Sequence, residues 1–244
     1  MDTDLSGRVA LVTGSASGVG RGFALACADH GADVAVHYRS SDAEAAATAA
    51  DVRDRGVDAA TVQGDVTDPG SVDALFDSVE AELGAVDVLV NNVGAFAPQH
   101  WTDIDFEMWQ TVLHTNVNGT YLCSKRALPA MREQGWGRIV NVGYAGSEQA
   151  LVHPKNTPYF IAKTGVLMFT RMLAADTQDD GVTVNAVSPY VVDTSDAFPD
   201  AAPRGRWATV DDLATALLFF LSDDAEYVSG ENIEVDGGFL PEKL

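Results

Sequence analysis

The stretch Thr13-Gly14-Ser15-Ala16-Ser17-Gly18-Val19-Gly20 decides the fold of this chain. It follows the apolar run Val9 to Val12, which is typical of a buried strand, and it opens a helical pattern that ends at His30. Its three glycines permit a tight turn and let the backbone approach a pyrophosphate closely. Because the turn joins a strand to a helix, it predicts the first part of a dinucleotide-binding βαβ unit.

Short apolar runs rich in β-forming residues alternate with helical patterns along the whole chain. The predicted strands are Val9 to Val12, Val34 to Val36, Ala59 to Val62, Val86 to Val90, Arg138 to Val142, Val182 to Val187 and Ile233 to Val235. The predicted helices are Gly18 to His30, Asp42 to Arg55, Ser71 to Leu83, Asp105 to Met131, Thr157 to Thr177 and Val210 to Leu221. This alternation predicts a single α/β domain of Rossmann type, with a doubly wound, seven-stranded parallel sheet covered by helices on both faces.

Composition excludes some classes of function. The 36 acidic residues outnumber the 15 basic ones, and the formal charge of -21 repels nucleic acids and anionic membranes. This excess suits the hydrated surface of a protein from a high-salt cytoplasm, and an acidic mesophilic protein remains the alternative. Cys27 and Cys123 lie inside apolar helical patterns, which predicts buried free thiols. With no signal-type run and no membrane-spanning stretch, a soluble, cytoplasmic protein is expected.

Metal binding is not expected. The five histidines show no close ligand spacing, and solvent or loop positions are predicted for His30, His37, His100, His114 and His153. Asp103, Asp105 and Glu107 are expected to cap and charge-match the start of a helix rather than to bind a cation.

The segment from Tyr159 to Lys163 is the second informative motif. Residues four apart share one face of a helix, so the Tyr159 phenol and the Lys163 ammonium can point into one site. A nearby positive charge favours the phenolate, which would lower the pKa of Tyr159 and make it a usable acid and base for carbonyl reduction. Taken alone, the pair is more typical of an ordinary helix surface than of a catalytic site, and the glycine turn supplies the context for the catalytic interpretation.

Together these motifs resemble the short-chain dehydrogenase/reductase family over residues 7 to 240. The glycine turn with Thr13 ahead of it is similar to the family's cofactor motif, and Asn91-Asn92-Val93-Gly94 is similar to its Asn-Asn-Ala-Gly. Asn116 matches the helix asparagine of the catalytic tetrad, while Tyr159 and Lys163 match the catalytic pair. The run from Asn185 to Thr194 and the run from Val235 to Phe239 resemble two further family segments.

The resemblance implies an oxidoreductase that transfers hydride between a nicotinamide cofactor and a carbonyl or secondary alcohol. Within the family, the chain looks most like 3-oxoacyl-carrier-protein reductases and general carbonyl reductases, so a 3-oxoacyl thioester or a small ketone is the expected substrate. The family also implies a homo-oligomer, a tetramer or dimer, with a cofactor half at about 7–145 and a catalytic half at about 146–244. A cofactor-binding sensor or regulatory protein without turnover is the competing class.

Site residues follow from the same resemblance. Tyr159 would donate the proton, Lys163 would assist it and bind the nicotinamide ribose, and Asn116 would position the proton relay. The residues implied to contact the cofactor are Thr13, Gly14, Ser15, Ser17, Gly18, Val19, Gly20, Tyr38, Arg39, Ser40, Asp65, Val66, Asn92, Gly94, Tyr159, Lys163, Pro189, Val192 and Thr194.

The end of the second strand favours NADP(H) over NAD(H). Tyr38 occupies the place where NAD enzymes of the family carry aspartate, and Arg39 and Ser40 follow as donors for a 2′-phosphate. Two observations weaken this prediction. Arg39 can also be a solvated loop cation, and Ser17 stands where many NADP enzymes place a basic residue.

The catalytic serine of the family is missing. The family's fifth strand usually ends Asn-x-Ser-Ser, whereas this chain has Tyr144 at the second serine position. We expect the Tyr144 phenol to donate a hydrogen bond to the substrate oxygen, because a strand end is a rigid platform. The alternatives are that Ser147 swings into the gap, or that Tyr144 is only an aromatic wall in a slow or inactive site.

The substrate pocket is expected to be open. Only residues 195–202 separate Thr194 from the run Pro203 to Arg206, and so short a segment has little reach to cover a substrate. The stretch from Gly146 to Asn156 is the alternative source of a wall.

Overall fold

In the computed structural model of the protein, residues 3–149, 154–195 and 198–239 are described. The strands are β1 (Val9–Val12), β2 (Asp33–Tyr38), β3 (Ala59–Gln63), β4 (Val88–Asn91), β5 (Gly137–Val142), β6 (Val182–Pro189) and β7 (Asn232–Val235). The helices are α1 (Gly18–Asp29), α2 (Asp42–Arg53), α3 (Pro69–Glu82), α4 (Phe106–Leu113), α5 (Gly119–Gln134), α6 (Thr157–Asp176) and α7 (Val210–Leu221).

All seven strands form one parallel sheet in the order β3-β2-β1-β4-β5-β6-β7. The predicted Rossmann-type sheet is therefore confirmed. The chain proceeds outward from β1 on one side and from β4 on the other, so the strand order reverses between these two strands. The crevice at their carboxyl ends is where ligands bind in sheets of this type.

Two apolar clusters cover the two faces of the sheet. One includes Phe23 of α1 and Leu217 of α7, and the other includes Phe76 of α3 and Met131 of α5. Successive strand residues alternate between the two clusters, as the two-residue period of a strand requires. Cys27 and Cys123 are buried free thiols, as predicted. Within the described ranges no helix has both the length and the apolar content that crossing a bilayer demands.

The helix predicted over Asp105 to Met131 is wrong in one respect, because α4 and α5 are separated by a π-helical turn at His114–Asn118. The Asn116 side chain explains the interruption. Its Nδ2 donates to the Val112 carbonyl at 2.8 Å, the acceptor that a regular helix would offer to the Asn116 backbone. The start of α4 agrees with prediction, since the Asp105 carboxylate accepts from the Met108 N–H at 2.8 Å.

Candidate active site

The glycine turn lies at the carboxyl end of β1 and leads into α1. Gly14 and Gly18 have φ of +67° and +57°, in the left-handed region that favours glycine. A Cβ at Gly20 would overlap the Gly14 carbonyl oxygen, and a Cβ at Gly14 would lie 2.9 Å from the Val93 side chain. The backbone at Gly14 and Gly20 therefore has no room for a side chain, whereas Gly18 is required by its φ alone.

Polar side chains of the turn face the sheet. Thr13 Oγ1 accepts from the backbone N–H groups of Asn92 at 2.9 Å and Val93 at 3.1 Å, which ties β1 to β4. Ser15 is fully buried, and its hydroxyl donates to the Val12 carbonyl at 2.7 Å. Thr13 and Ser15 therefore shape the turn through their side chains.

A cavity of about 350 Å³ opens beside the turn at the ends of β2 and β3. Eight of the residues expected to contact a cofactor line it, namely Gly14, Ser17, Tyr38, Arg39, Ser40, Asp65, Val66 and Gly94. They lie beside the carboxyl ends of the strands, where ligands bind in sheets of this type.

Arg39 at this cavity is exposed and only loosely paired. Its guanidinium lies 3.8 Å from the Asp65 carboxylate, and its side chain is 71% exposed. Hydrogen bonds from Thr67 are the main cause of a lowered pKa at Asp65, with a smaller contribution from Arg39. The neighbouring Tyr38 hydroxyl donates to Asp42 at 3.0 Å. The Arg39 side chain thus has the freedom to turn toward a phosphate.

His37 was not predicted to take part in the site. The expectation of a solvent or loop histidine is wrong at this position, because His37 lies in β2 and is 2% exposed. The strand extends past the predicted end at Val36 because its last residues pair with β3 through Tyr38 and Gln63. Placement directly after the continuous apolar run Val34 to Val36 is the sequence signal that could have identified a buried histidine. In the described ranges no cluster of acidic, histidine or cysteine side chains is arranged to hold a metal ion.

Tyr159 and Lys163 lie side by side on α6, with the Lys163 Nζ 5.6 Å from the Tyr159 ring centroid. Nζ also donates to the Val142 carbonyl at the end of β5, at 2.7 Å. Burial lowers the pKa of Lys163 to about 8. Burial also raises the pKa of Tyr159, with a smaller contribution from the Tyr144 phenol.

The expected lowering of the Tyr159 pKa is therefore wrong for the free protein. Removing the phenol from water opposes its ionisation, and the neighbouring Tyr144 phenol acts in the same direction. Tyr159 holds its proton at neutral pH, which is the state that a proton donor to a carbonyl oxygen requires.

Asn116 lies at the same end of the sheet, buried in the π-helical turn with 1% exposure. Its Nδ2 donates to the carbonyls of Ala95 and Val112, whereas its Oδ1 has no partner within the described part of the chain. A Cβ at Gly94 would lie 2.9 Å from this oxygen and 3.5 Å from the Lys163 Nζ. Glycine at this position keeps a polar space open between Asn116 and Lys163.

Tyr144 contacts the proposed proton donor, since its ring lies 5.6 Å from the ring of Tyr159 in an edge-on arrangement. Burial, and secondarily the Tyr190 phenol, raises the pKa of Tyr144 to about 12. Ser147 is 3% exposed, its hydroxyl has no partner among the described residues, and its carbonyl accepts from Thr164 at 3.3 Å. The structure thus brings Tyr144 to Tyr159 and packs Ser147 against α6.

The segment after β6 forms the outer side of the site. Tyr190 stacks on Phe239 with ring centroids 3.9 Å apart, and Val192 is buried and bridges to Ala208. Thr194 is exposed. Both predictions about the lid fall partly outside the described residues, because residues 150–153 and 196–197 are not among them.

Comparison with known proteins places this geometry in a family. A family model described as enoyl-(acyl carrier protein) reductase matches residues 14–240. The 3-oxoacyl-[acyl-carrier-protein] reductase FabG of Staphylococcus aureus is 35% identical over 239 residues, covering 94% of this chain and 96% of that protein. The corresponding reductase of Synechocystis is 33% identical over 246 residues, covering 98% and 99%.

Solved structures of related enzymes have the same fold as this chain. A crystal structure described as a putative short-chain alcohol dehydrogenase from Sinorhizobium meliloti superposes with a TM-score of 0.91 at 32% identity, covering 98% of each chain. A gluconate 5-dehydrogenase from Burkholderia cenocepacia, crystallised with NADP and tartrate, gives a TM-score of 0.89 at 32% identity and covers 97% of this chain and 96% of its own. The chain belongs to the short-chain dehydrogenase/reductase family, whose members are nicotinamide-dependent oxidoreductases acting on CH–OH or C=O groups.

Proposed function

We propose that the protein is an NADP(H)-dependent reductase of a 3-oxoacyl thioester or a small ketone. The observation that carries this proposal is the position of Tyr159, a half-buried phenol that keeps its proton, beside Lys163 at the carboxyl end of the sheet. Asn116 and the glycine turn border the same crevice, so an acid and a dinucleotide site lie next to each other.

The proposed chemistry needs one acid and one stabilising charge. The bound nicotinamide supplies a hydride to the carbonyl carbon. Tyr159 donates its proton to the carbonyl oxygen, and the Lys163 ammonium stabilises the phenolate that remains. Tyr144 donates a hydrogen bond to the same oxygen as negative charge develops on it. The Oδ1 of Asn116, which has no partner among the described residues, faces the space where a water can return the proton by way of Lys163.

NADP(H) is the proposed cofactor because Arg39 and Ser40 line the cavity at the end of β2. An exposed guanidinium beside a hydroxyl can donate hydrogen bonds to a 2′-phosphate. The hydroxyls of an unphosphorylated ribose instead donate hydrogen bonds to a carboxylate. The gluconate 5-dehydrogenase at 32% identity was crystallised with NADP, which supports this choice. The Asp65 carboxylate near Arg39 would have to give way to the phosphate.

A homo-oligomer, a tetramer or dimer, is proposed to form through α5 and α6. These helices carry the exposed large apolar side chains Tyr121, Ile161, Met168 and Met172. A monomer would leave this surface in water. Light scattering on the wild type and on Met168→Asp tests the interface, and a smaller assembly is expected for the variant.

The proposed activity is tested by NADPH and NADH consumption with a panel of substrates at low and high salt. The panel contains small ketones, 3-oxoacyl thioesters and an enoyl thioester, since the matching family model is described as an enoyl reductase. Reduction of a ketone or 3-oxoacyl thioester with a preference for NADPH is expected. Tight NADPH binding without any turnover would instead favour the sensor or regulatory protein.

A further inference from the structure

His37 is the one buried histidine among the described residues, and both of its ring nitrogens are engaged. Its Nδ1 accepts a hydrogen bond from the Gly14 N–H at 2.9 Å. Its Nε2 lies 3.1 Å from the Gly64 carbonyl oxygen. Gly14 belongs to the glycine turn and Gly64 follows β3, so a single imidazole joins two loops that line the same cavity.

These two partners determine the protonation state of the ring. A peptide N–H only donates, so Nδ1 must present its lone pair, and a carbonyl only accepts, so Nε2 must carry the proton. The neutral ring with its proton on Nε2 satisfies both partners. A doubly protonated ring would set an N–H against the Gly14 N–H and break that contact.

The surroundings of the ring favour the neutral form. Burial lowers the pKa of His37 to about 4, against the opposing effects of the Gly64 carbonyl and the Asp65 carboxylate. Asp65 is the titratable group whose charge acts on the imidazole. The ring therefore stays neutral across the physiological pH range, and its contact with Gly14 persists.

The backbone of His37 holds the same turn. Its N–H donates to the Ser15 hydroxyl at 3.0 Å, and its carbonyl accepts from the Ser15 N–H at 3.0 Å. With the imidazole contact to Gly14, two successive residues of the turn are fixed to β2. Ser17, which precedes α1, makes no capping hydrogen bond with its side chain, so the first N–H groups of α1 are not taken by it.

We propose that His37 is a positioning residue for the cofactor, whose uncharged ring accepts the Gly14 N–H and so holds the glycine turn in the shape that receives a pyrophosphate. This inference rests on the proposed binding of a nicotinamide dinucleotide in the crevice. His37 does not touch the groups assigned to proton transfer. Its removal should therefore weaken cofactor affinity and leave turnover at saturating cofactor nearly unchanged.

Two substitutions separate the two contacts of the ring. His37→Leu removes the acceptor for Gly14 and the donor for Gly64. His37→Asn keeps an acceptor oxygen near the position of Nδ1 but is too short to reach Gly64. His30→Leu is the matched control, because the His30 ring contacts the Ala26 carbonyl at the end of α1.

The measurements are the dissociation constants of NADP+ and NAD+ by calorimetry, and hydrogen exchange of peptides that cover residues 13–17. We expect His37→Leu to weaken binding by about tenfold or more and to speed exchange in the turn, because Gly14 loses its acceptor. The kcat at saturating cofactor should stay within about threefold. His37→Asn and His30→Leu should bind within about threefold of the wild type.

Wild-type affinity and exchange in His37→Leu would overturn the proposal. So would an equal tenfold loss in His37→Asn, because the Gly14 contact would then not be the one that matters. If His37→Leu does not fold, His37→Asn decides alone, with retained affinity in favour and a tenfold loss against. If the wild type binds neither dinucleotide, the proposed function fails, while exchange in the turn still shows whether His37 holds it.

Discussion

Replacing Tyr144 by phenylalanine removes one hydroxyl and keeps the ring. The ring contacts of Tyr144 with Tyr159 and Phe160, at 5.6 and 5.4 Å between centroids, do not involve the hydroxyl. Within the described residues, the Tyr144 hydroxyl donates no hydrogen bond to the protein, so its loss should leave no buried group without a partner. Stability should therefore change by less than about 0.5 kcal/mol.

The effect on catalysis should be much larger. Loss of one donor to a developing oxyanion typically costs about 2.7–4 kcal/mol, or about 10²–10³ in kcat. Tyr144 is half-buried, and water can replace part of its hydrogen bond, so the lower end of this range is expected. We expect kcat for carbonyl reduction to fall about a hundredfold in Tyr144→Phe while NADPH affinity is unchanged.

The assay is NADPH oxidation at saturating cofactor, together with NADPH binding and thermal unfolding of each variant. Ser147→Ala is the matched control, because the Ser147 hydroxyl is buried and has no partner among the described residues. Its removal should change kcat by less than about threefold. Full activity in Tyr144→Phe, or a collapse of activity in Ser147→Ala, would refute the assignment of the oxyanion donor to Tyr144.

Three further predictions concern the cofactor and the catalytic pair. Arg39→Ala should weaken NADPH binding and leave NADH binding unchanged, because Arg39 is assigned to the 2′-phosphate; equal affinities in the wild type, unaltered by the substitution, would contradict that role. Gly20→Ala should abolish binding of both dinucleotides, since its Cβ would overlap the Gly14 carbonyl oxygen, and wild-type affinity in a folded variant would argue against the turn as the pyrophosphate site. Reduction should slow as the pH rises through about 8, where Lys163 loses its proton, while Tyr159, with its raised pKa, keeps its own; a pH profile that stays flat above 8 would show that the Lys163 charge is not needed.

Local patterns were sufficient to predict the fold. Each strand corresponds to a short apolar run because both faces of the sheet are buried, and each crossover helix corresponds to a periodic pattern because one of its faces is buried. The glycine turn was predictable for a similar reason, since left-handed φ values and close backbone contacts at positions such as Gly14 require glycine.

What sequence could not predict depends on contacts between distant segments. His37 becomes buried because β2 continues alongside β3, and its partners Gly14 and Gly64 belong to loops that meet only in the folded chain. The raised pKa of Tyr159 also could not be predicted from the sequence. The neighbouring Lys163 is visible in the sequence, but the burial that raises the pKa of the Tyr159 phenol is a property of the assembled site.

The break between α4 and α5 has a comparable origin. Asn116 was placed correctly on a helical pattern, yet its Nδ2 reaches both the Ala95 carbonyl after β4 and the Val112 carbonyl of its own helix. The contact with Ala95 spans two segments, so no local helix propensity could reveal that the helix opens at this residue.

The most direct test of the central claim is the rate of carbonyl reduction in Tyr159→Phe, measured in a single turnover with NADPH already bound. If Tyr159 is the proton donor, the wild type reduces the substrate and the variant is slower by about 10²–10⁴ while binding NADPH as tightly. Reduction by Tyr159→Phe at the wild-type rate would contradict the account.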